Sequence, residues 1–563
     1  MTLANGRSGI IYDLSAPPLI LVTPFISFVS HNGYSYAAPE LWLCLAGLIA
    51  LGLLCGAVMA LGGRWARIIG TAGLMTLAID LQFEVLEEQP WIRVPAVGIG
   101  MLLLCWLARE HLGRIVAPVF ATMLASTVAL HLLGGAASSS PASTRATIEP
   151  APEGDLPPIV HIILDEHIGV EGIPADVEGG GQTKALLKSF FQNYGFRLFG
   201  HAYSRYAGTR DSIPSMLNYA SRPVERAWVD GDANVTMEAN RYFDDMHRLG
   251  YEIHAFQIVT VDVCTSSIQL ITSCYTEDHT GIKALEHTKF SSREKAILIY
   301  QLYARLSVID NALLYFNTLA RGFAEQNGWD WPKWWSDGVG MPAIRAMHAM
   351  SLLAEQVVRS QSGQLFFAHL VLPHYPYIYD ANCNERDPSV WEPAHDREPL
   401  PPNTTQLRAQ RYRLYLEQLQ CLYEKLDAMF RRWQEAGVFD RAVIIIHGDH
   451  GSRIYLHRPE ASNRGEMLVS DYADAFSTLL AVKAPGYEPG YDLRWIAIQD
   501  VLPEFAIQGR PRQTAQEDSA RLASSSDQLP YVFLGAGPGA PMVKQPLPSF
   551  GDADRAQNQL GAR

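Results

Sequence analysis

Two short apolar runs, Pro158–Glu166 (PIVHIILDE) and Ala442–Gly451 (AVIIIHGDHG), decide the fold of this chain. Both consist largely of β-branched residues, and each ends in side chains able to bind a metal. Because a buried strand of a parallel sheet delivers its C-terminal residues to the ligand-binding edge, we expect the two ends to meet there. Either run alone is also consistent with a strand-end carboxylate that caps a helix. Together, with alternating strand and helix patterns between them, they predict an α/β domain.

The composition separates a membrane part from a water-facing part. The chain has 563 residues, enough for two or three domains. Its 45 Lys and Arg against 58 Asp and Glu give a net charge of -13, which argues against a nucleic-acid-binding protein. The apolar residues are concentrated in the first quarter of the chain. We therefore expect a membrane anchor followed by a large water-facing domain.

The anchor, residues 1–133, is predicted to be a bundle of four or five transmembrane helices. A charge-free stretch of about twenty residues is long enough to cross the bilayer. The two clear spans are Leu41–Leu61 and Ile115–Leu133. Two shorter spans are Ile68–Phe83, which carries Asp80, and Val94–Leu107. A fifth and weaker span, Leu19–Val29, is interrupted by Pro24. A hairpin lying at the membrane interface remains an alternative for residues 68–107.

Basic residues in two of the connecting loops set the predicted orientation. The loop after the Leu41–Leu61 span carries Arg64 and Arg67, and the loop before the last span carries Arg109 and Arg114. Basic loops stay in the cytoplasm, so the chain after the last span is expected outside it. This predicts a multi-pass protein with an extracytoplasmic domain.

The remainder divides into three parts by composition. Residues 134–158 are rich in Ala, Ser, Gly and Pro and are predicted to be a flexible linker. Residues 159–508 are ample for one large core, and residues 509–563 are polar and Gly/Pro-rich, which favours a disordered tail.

Four cysteines lie in the outer domain, an even number on the oxidising side of the membrane. Local spacing favours a Cys264–Cys274 disulfide, which leaves Cys383 and Cys421 as the second pair. The other two pairings and a zinc cluster remain open.

The motifs VHIILDE and HGDHG resemble those of the alkaline-phosphatase-like superfamily. Within it, the chain resembles the sulfatase-type, membrane-anchored phosphoethanolamine and phosphoglycerol transferases. The resemblance implies an N-terminal helical bundle and an extracytoplasmic domain with a mostly parallel central sheet covered by helices on both faces. It also implies a one-metal or two-metal site that holds an activated hydroxyl nucleophile.

By this resemblance the nucleophile is Thr209. The segment Tyr206–Asn218 (YAGTRDSIPSMLN) is similar to the family segment that carries a nucleophilic threonine at the start of a helix. A helix N-terminus offers backbone donors and partial positive charge to a phosphate. The alternative is that Thr209 is an ordinary N-cap. A sulfatase that uses formylglycine would need a cysteine at this position. Because residue 209 is Thr, that class of sulfatase is not expected.

The resemblance also implies the metal ligands, which are Asp165, Thr209, Asp449 and His450. Phosphoethanolamine transferases usually have a glutamate where Asp165 stands, which leaves the metal identity open. Oxygen-rich ligation with one imidazole suits Zn²⁺ or Mn²⁺ better than Ca²⁺. Glu166 either supplies a second carboxylate or faces solvent.

Several further residues are candidates for contacts with the substrate. His374 follows the strand in Phe366–Tyr379 (FFAHLVLPHYPYIY) and resembles the family histidine that binds the phosphoryl group or protonates the leaving group. His457 resembles a later family histidine with the same roles, although either could be a structural loop residue. His369 is expected to be a satisfied core residue. Two arginines could pair with phosphate oxygens, Arg210 and Arg453.

The implied activity is transfer of phosphoethanolamine or phosphoglycerol from a phospholipid to an envelope glycan or glycolipid, through a phospho-threonine. A Gram-negative inner membrane with a periplasmic catalytic domain fits the family. The alternatives are a hydrolase of phosphate or sulfate esters and a catalytically silent envelope scaffold. The retained nucleophile and ligand set argues against the scaffold.

A tryptophan-rich stretch, Phe323–Trp335, favours work at the bilayer. It holds Trp329, Trp331, Trp334 and Trp335 and follows an amphipathic pattern over Ala296–Leu319. Tryptophan clusters favour the headgroup zone. Packing of this patch on the catalytic core is the equal alternative.

Overall fold

The structure is a computed structural model of the chain. It describes residues 2–83, 90–133, 156–220, 235–258, 260–265, 267–277, 281–304, 306–307, 315–316, 319–320, 322–324, 326–329, 341–387, 391, 404–505, 530–536 and 541–549. The chain forms two compact units, one of Met1–Ser139 with His279–Gly340 and one of Ser140–Asp278 with Met341–Arg563. The two units are described separately below. The predicted linker lies almost entirely outside the described residues.

The described part of the first unit includes five N-terminal helices and a later helix. Three stretches, Leu14–His31, Pro39–Leu61 and Leu112–Leu130, are long and apolar enough to cross a membrane. The stretch Leu14–His31 includes the weak predicted span Leu19–Val29. The helices that cover the two shorter predicted spans, Gly63–Phe83 and Pro90–Leu107, are not among the three stretches that are long and apolar enough. The helices are α1 (Thr2–His31), α2 (Pro39–Leu61), α3 (Gly63–Phe83), α4 (Pro90–Leu107), α5 (Leu112–Leu133) and α9 (Ser292–Ala304).

Residues 279–340 group with these N-terminal helices rather than with the second unit. Lys283 Nζ donates to the carbonyl of Gly33 at 2.8 Å, and the ring of Tyr303 on α9 meets that of Phe25 edge-on at 5.2 Å. The predicted catalytic domain over 159–508 therefore differs from the observed second unit by this insertion. Trp329 is exposed, and the other three tryptophans of the predicted cluster lie outside the described residues.

The second unit is built on an eight-stranded sheet in the order β10-β2-β9-β8-β1-β7-β4-β6. Every pairing is parallel except the two made by β9. Helices accompany this sheet, so the predicted fold class is confirmed. The strands are β1 (Ile159–Leu164), β2 (Arg197–Tyr203), β3 (Val235–Thr236), β4 (Glu252–Ile258), β5 (Val261–Asp262), β6 (Ile271–Glu277), β7 (Gln364–Leu370), β8 (Val443–Gly448), β9 (Leu480–Lys483), β10 (Gly490–Ala497), β11 (Tyr531–Leu534) and β12 (Val543–Pro546). The helices are α6 (Gly180–Asn193), α7 (Thr209–Leu217), α8 (Arg241–Arg248), α10 (Pro342–Val358), α11 (Thr405–Glu435), α12 (Val469–Phe476) and α13 (Val501–Phe505).

The register of the central strands brings the two decisive runs together. Every residue of β1 is buried, as expected for a β-branched strand with neighbours on both sides. Leu164, its last residue, lies opposite Gly448 of β8 and Leu370 of β7. The chain therefore leaves the sheet at three adjacent points on the same edge, immediately before the predicted metal ligands.

Part of the C-terminal region is ordered, so the prediction of a disordered tail is wrong there. β11 and β12 pair antiparallel, and Val532 and Leu534 are buried in one apolar cluster with Tyr203. Val532, Phe533 and Leu534 of β11 are buried. Their signal was masked by the polar, Gly/Pro-rich composition around them.

The predicted disulfide pairing is confirmed. Cys264 is bonded to Cys274, and Cys383 is bonded to Cys421. Both bridges lie within the second unit.

Candidate active site

Thr209 is the first residue of α7 and faces the loop after β8. Its Oγ1 donates to Asp449 Oδ2 at 2.7 Å and lies 3.2 Å from His450 Nε2. One turn later, Ser212 Oγ donates to the Asp449 carbonyl at 2.6 Å and fixes the helix to the loop. The N-cap is Gly208, so the alternative that Thr209 is an N-cap is wrong. The hydroxyl is instead held at the start of a helix, beside a carboxylate and an imidazole.

The four implied metal ligands lie together at this sheet edge. Asp165, Asp449 and His450 each offer one donor atom, and these atoms lie within 4.8 Å of one another. His450 Nε2 is 3.2 Å from Asp449 Oδ2 and 3.8 Å from Asp165 Oδ1. The Thr209 hydroxyl completes a set of three oxygens and one nitrogen. The strand ends thus gather donors from three distant parts of the sequence.

An unpaired polar atom in this cluster fits a bound cation. Asp165, Glu166 and Asp449 are all buried, and Asp165 Oδ1 has no hydrogen-bond partner. Burying charge without a partner is costly, so buried carboxylates are normally paired or coordinate metals. Oxygen donors with imidazole nitrogen are ligands that Zn²⁺ and Mn²⁺ accept. The residues present therefore fit the implied metal.

A second group of polar side chains adjoins the first. Glu166 Oε1 lies 3.4 Å from both His374 Nε2 and Arg453 Nη1, which places Arg453 and His374 around one buried carboxylate. Glu166 is fully buried and does not face solvent. Glu166 and Arg453 also have positive φ values of 62° and 58°. Left-handed backbone at non-glycine residues is strained and tends to occur at functional sites.

The pKa values of the two neighbouring carboxyl groups are driven apart. Burial by itself raises the pKa of Asp165, but His374 and His369 act against it and hold the pKa below its ordinary value. Burial raises the pKa of Glu166 well above its ordinary value, against the opposing charge of Arg453. Asp165 is therefore the stronger candidate for a charged ligand, and Glu166 is suited to carry a proton.

His369 is a site residue that the sequence analysis missed. Its Nε2 lies 3.4 Å from Asp165 Oδ2 and has no hydrogen-bond partner, so the prediction of a satisfied core histidine is wrong. It is the penultimate residue of β7, opposite Ile163 in the register with β1. Its proximity to a strand end was the available signal.

His457 and Arg210 have different surroundings. His457 Nδ1 lies 2.8 Å from Asp471 Oδ2, an ion-pair distance that orients the imidazole. Arg210 is exposed on the first turn of α7, where burial raises the pKa of its neighbour Asp211 to about 6 despite the arginine charge. Their roles toward substrate stay predictions.

Close backbone packing explains the glycines of the HGDHG motif. A Cβ at Gly448 would lie 2.5 Å from the carbonyl oxygen of His167, and one at Gly451 would lie 2.2 Å from that of Asp474. Both distances are too short for a real contact. Because these two residues are glycines, the backbone that carries Asp449 and His450 can pack directly against the backbone of His167 and Asp474.

Part of the chain is similar in sequence to one curated protein. No family model matches it. It is 28% identical over 144 residues to lipoteichoic acid synthase 1 of Bacillus subtilis strain 168. This match covers 25% of the chain and only 20% of that relative, about a fifth of its length.

Solved structures of similar topology have low identities. A phosphonate monoester hydrolase from Silicibacter pomeroyi is 16% identical with a TM-score of 0.39, over 69% of this chain and 81% of that chain. The C-terminal periplasmic domain of EcEptC from Escherichia coli, in complex with Zn, is 8% identical with a TM-score of 0.36, over 69% and 92%. TM-scores this low do not establish a common fold. The fold class of this chain is instead established by its own strand order. The resemblance to membrane-anchored transferases is confirmed by the synthase as a sequence relative.

Proposed function

We propose that this protein is a membrane-bound, metal-dependent transferase that moves phosphoethanolamine or phosphoglycerol from a phospholipid to an envelope glycan or glycolipid. One observation carries the proposal: the Thr209 hydroxyl sits 2.7 Å from Asp449 and 3.2 Å from His450, at a helix N-terminus. A nucleophile, a proton acceptor and candidate metal ligands therefore converge at one point.

The residues of the site supply nucleophile, orientation and charge. Asp165, Thr209, Asp449 and His450 would hold Zn²⁺ or Mn²⁺, which lowers the pKa of a bound hydroxyl and stabilises negative charge on phosphate oxygens. Asp449 Oδ2 accepts the Thr209 hydrogen bond and is placed to receive its proton. The N-terminus of α7 contributes partial positive charge where the phosphate would lie.

The proposed reaction has two displacements on phosphorus. Thr209 Oγ1 attacks the phosphodiester, the new Oγ–P bond forms, and the bond from phosphorus to the diacylglycerol oxygen breaks. His374 or His457 protonates that oxygen as it leaves. In the second step a sugar hydroxyl gives its proton to the same histidine and attacks the phospho-threonine. The Oγ–P bond breaks, and Asp449 returns the proton to Thr209. Arg453 is placed to interact with phosphate oxygens near Glu166.

The apolar helices support a location in the bacterial inner membrane. Three N-terminal stretches could cross the bilayer, and the relative's name, lipoteichoic acid synthase, refers to an envelope polymer. Oxygen donors with one imidazole make Zn²⁺ the first metal to test. In this proposal the protein is multi-pass, with the catalytic unit in the periplasm.

The test is mass spectrometry of the Thr209 peptide from protein purified from its own membranes. Thr209→Ala removes the hydroxyl, and Thr209→Ser keeps it as the matched control. We expect a phosphoethanolamine or phosphoglycerol mass increment on wild-type Thr209 and on the serine variant, and none with alanine. An unmodified Thr209 in metal-loaded protein given phospholipid would contradict the transferase and direct the search to phosphate or sulfate ester hydrolysis. Full activity of Thr209→Ala would eliminate the nucleophile assignment.

A further inference from the structure

A basic cavity lies at one end of the first unit, where α2 meets α3 and α4 meets α5. Its volume is about 190 Å³. Its lining residues include four arginines and a histidine but a single carboxylate, Glu110: Arg64, Arg67, Arg109, Arg114 and His111. Such an excess of positive charge between apolar helices is suited to a phosphate, which guanidinium groups bind through charge-assisted hydrogen bonds.

An apolar groove of about 760 Å³ adjoins this cavity. It runs between α2, α3 and α4, and Met59 lines both the cavity and the groove. Along α3 the lining extends from Ala66 to the charged residue Asp80, about 21 Å of helix. One leaflet contributes about 15 Å of hydrocarbon, so the groove is long enough to hold an acyl chain. A Cβ placed at Gly73 meets nothing within 4 Å, which shows that the groove is open at this glycine.

Aromatic residues indicate the depth of the cavity in the membrane. The guanidinium of Arg64 lies 5.6 Å from the ring of Trp65, and that of Arg109 lies 4.8 Å from the ring of Trp106. Tryptophan and arginine are typical of the headgroup level. A basic cavity at that level, continuous with an apolar groove toward the bilayer centre, has the layout of a lipid molecule.

We propose that the cavity and groove form a binding site for an anionic glycerophospholipid, with its phosphate among the arginines and an acyl chain along α3. A free phosphate would use the cavity but leave the groove empty. By the predicted orientation the arginines face the cytoplasm, where anionic lipids attract juxtamembrane basic residues. The site consists of other residues than the proposed active site and does not rest on it.

The test is lipid retention by the full-length protein in detergent, measured by native mass spectrometry after incubation with phosphatidylglycerol or phosphatidylcholine. Arg67→Gln with Arg109→Gln removes two phosphate contacts, and Arg431→Gln with Arg432→Gln on α11 is the matched control. Gly73→Leu fills the groove with a good helix former, and Gly98→Leu on α4 is its control, since a Cβ there also meets nothing within 4 Å.

We expect the wild-type protein to retain phosphatidylglycerol in preference to phosphatidylcholine. Both test variants should weaken retention at least about tenfold, because one charge-assisted contact or one buried chain segment accounts for about that loss and the arginine variant removes two contacts. Retention unchanged in the arginine variant, or equal for the two lipids, would overturn the proposal. Thermal protection by inorganic phosphate equal to that by phosphatidylglycerol would overturn it as well, because a free anion would then be the ligand.

Discussion

Gln418, a buried glutamine, makes four hydrogen bonds to the loop that carries His374, and Arg386 bonds to the carbonyls of Tyr377 and Tyr379 in the same loop. Gln418 on α11 is fully buried, and its Oε1 accepts from the backbone N–H groups of Ile378 and Tyr379 at 2.7 and 3.1 Å. Its Nε2 donates to the carbonyls of Pro373 and His374 at 2.9 and 3.0 Å. The amide thus uses its full hydrogen-bonding capacity on one loop. We infer that Gln418 positions His374.

Replacing this residue by methionine keeps its volume and removes all four bonds. Each buried backbone group left without a partner costs about 1–3 kcal/mol, so even the low end predicts a loss of about 4 kcal/mol in Gln418→Met. The second unit comprises Ser140–Asp278 and Met341–Arg563. With about 2.1 cal/mol/K of unfolding entropy per residue, a unit of this size should lose about 5 °C in Tm. His374 would lose its fixed position, so turnover should fall at least about tenfold.

The assay combines thermal unfolding of the full chain in detergent with release of fluorescent diacylglycerol from labelled phosphatidylethanolamine or phosphatidylglycerol. The control is Gln434→Met on the same helix, where the side chain is exposed. Gln418→Glu keeps the two accepted bonds but turns a carboxylate oxygen toward the carbonyls of Pro373 and His374, so its Tm should be at least as low as that of Gln418→Met. A Tm within about 1 °C of wild type would refute the hydrogen-bond argument. A large fall in Tm with unchanged turnover would refute the positioning role.

Three further outcomes are expected. Chelation should lower the Tm of the wild type but not of Asp449→Asn, because ligands that bind only the native state stabilise it; equal shifts in both proteins would contradict the metal site. Gly451→Ala should cost about 1–3 kcal/mol of unfolding free energy, since its Cβ would lie 2.2 Å from a carbonyl oxygen, while Gly465→Ala, with open space around its Cβ, should not; urea unfolding of the full chain decides. Burial, and then the neighbouring His447, hold the pKa of His161 well below its ordinary value. The unfolded chain therefore binds more protons below about pH 6.5, and stability should fall as the pH drops from 7 to 5. His161→Phe should show a shallower fall in Tm over that range, and identical slopes would contradict the assignment.

Local sequence determined the features that depend on neighbouring residues. Runs of β-branched residues form buried strands wherever they occur, so β1 and β8 were predictable together with the edge at which Asp165 and Asp449 emerge. The chain order of motifs pointed to Thr209, and cysteine spacing pointed to the Cys264–Cys274 bridge. In each case the relevant residues lie close in sequence or at the end of one element.

Tertiary structure decided what depends on distant packing. The approach of His369 to Asp165 follows from the register of β7 on β1, because a side chain's neighbours across a sheet are set by pairing and not by its own strand. Packing of Tyr303 against Phe25 grouped residues 279–340 with the N-terminal helices, and burial of Val532 ordered a hairpin in a polar tail. Such contacts depend on apolar area shared between segments far apart in the chain, which no local pattern encodes.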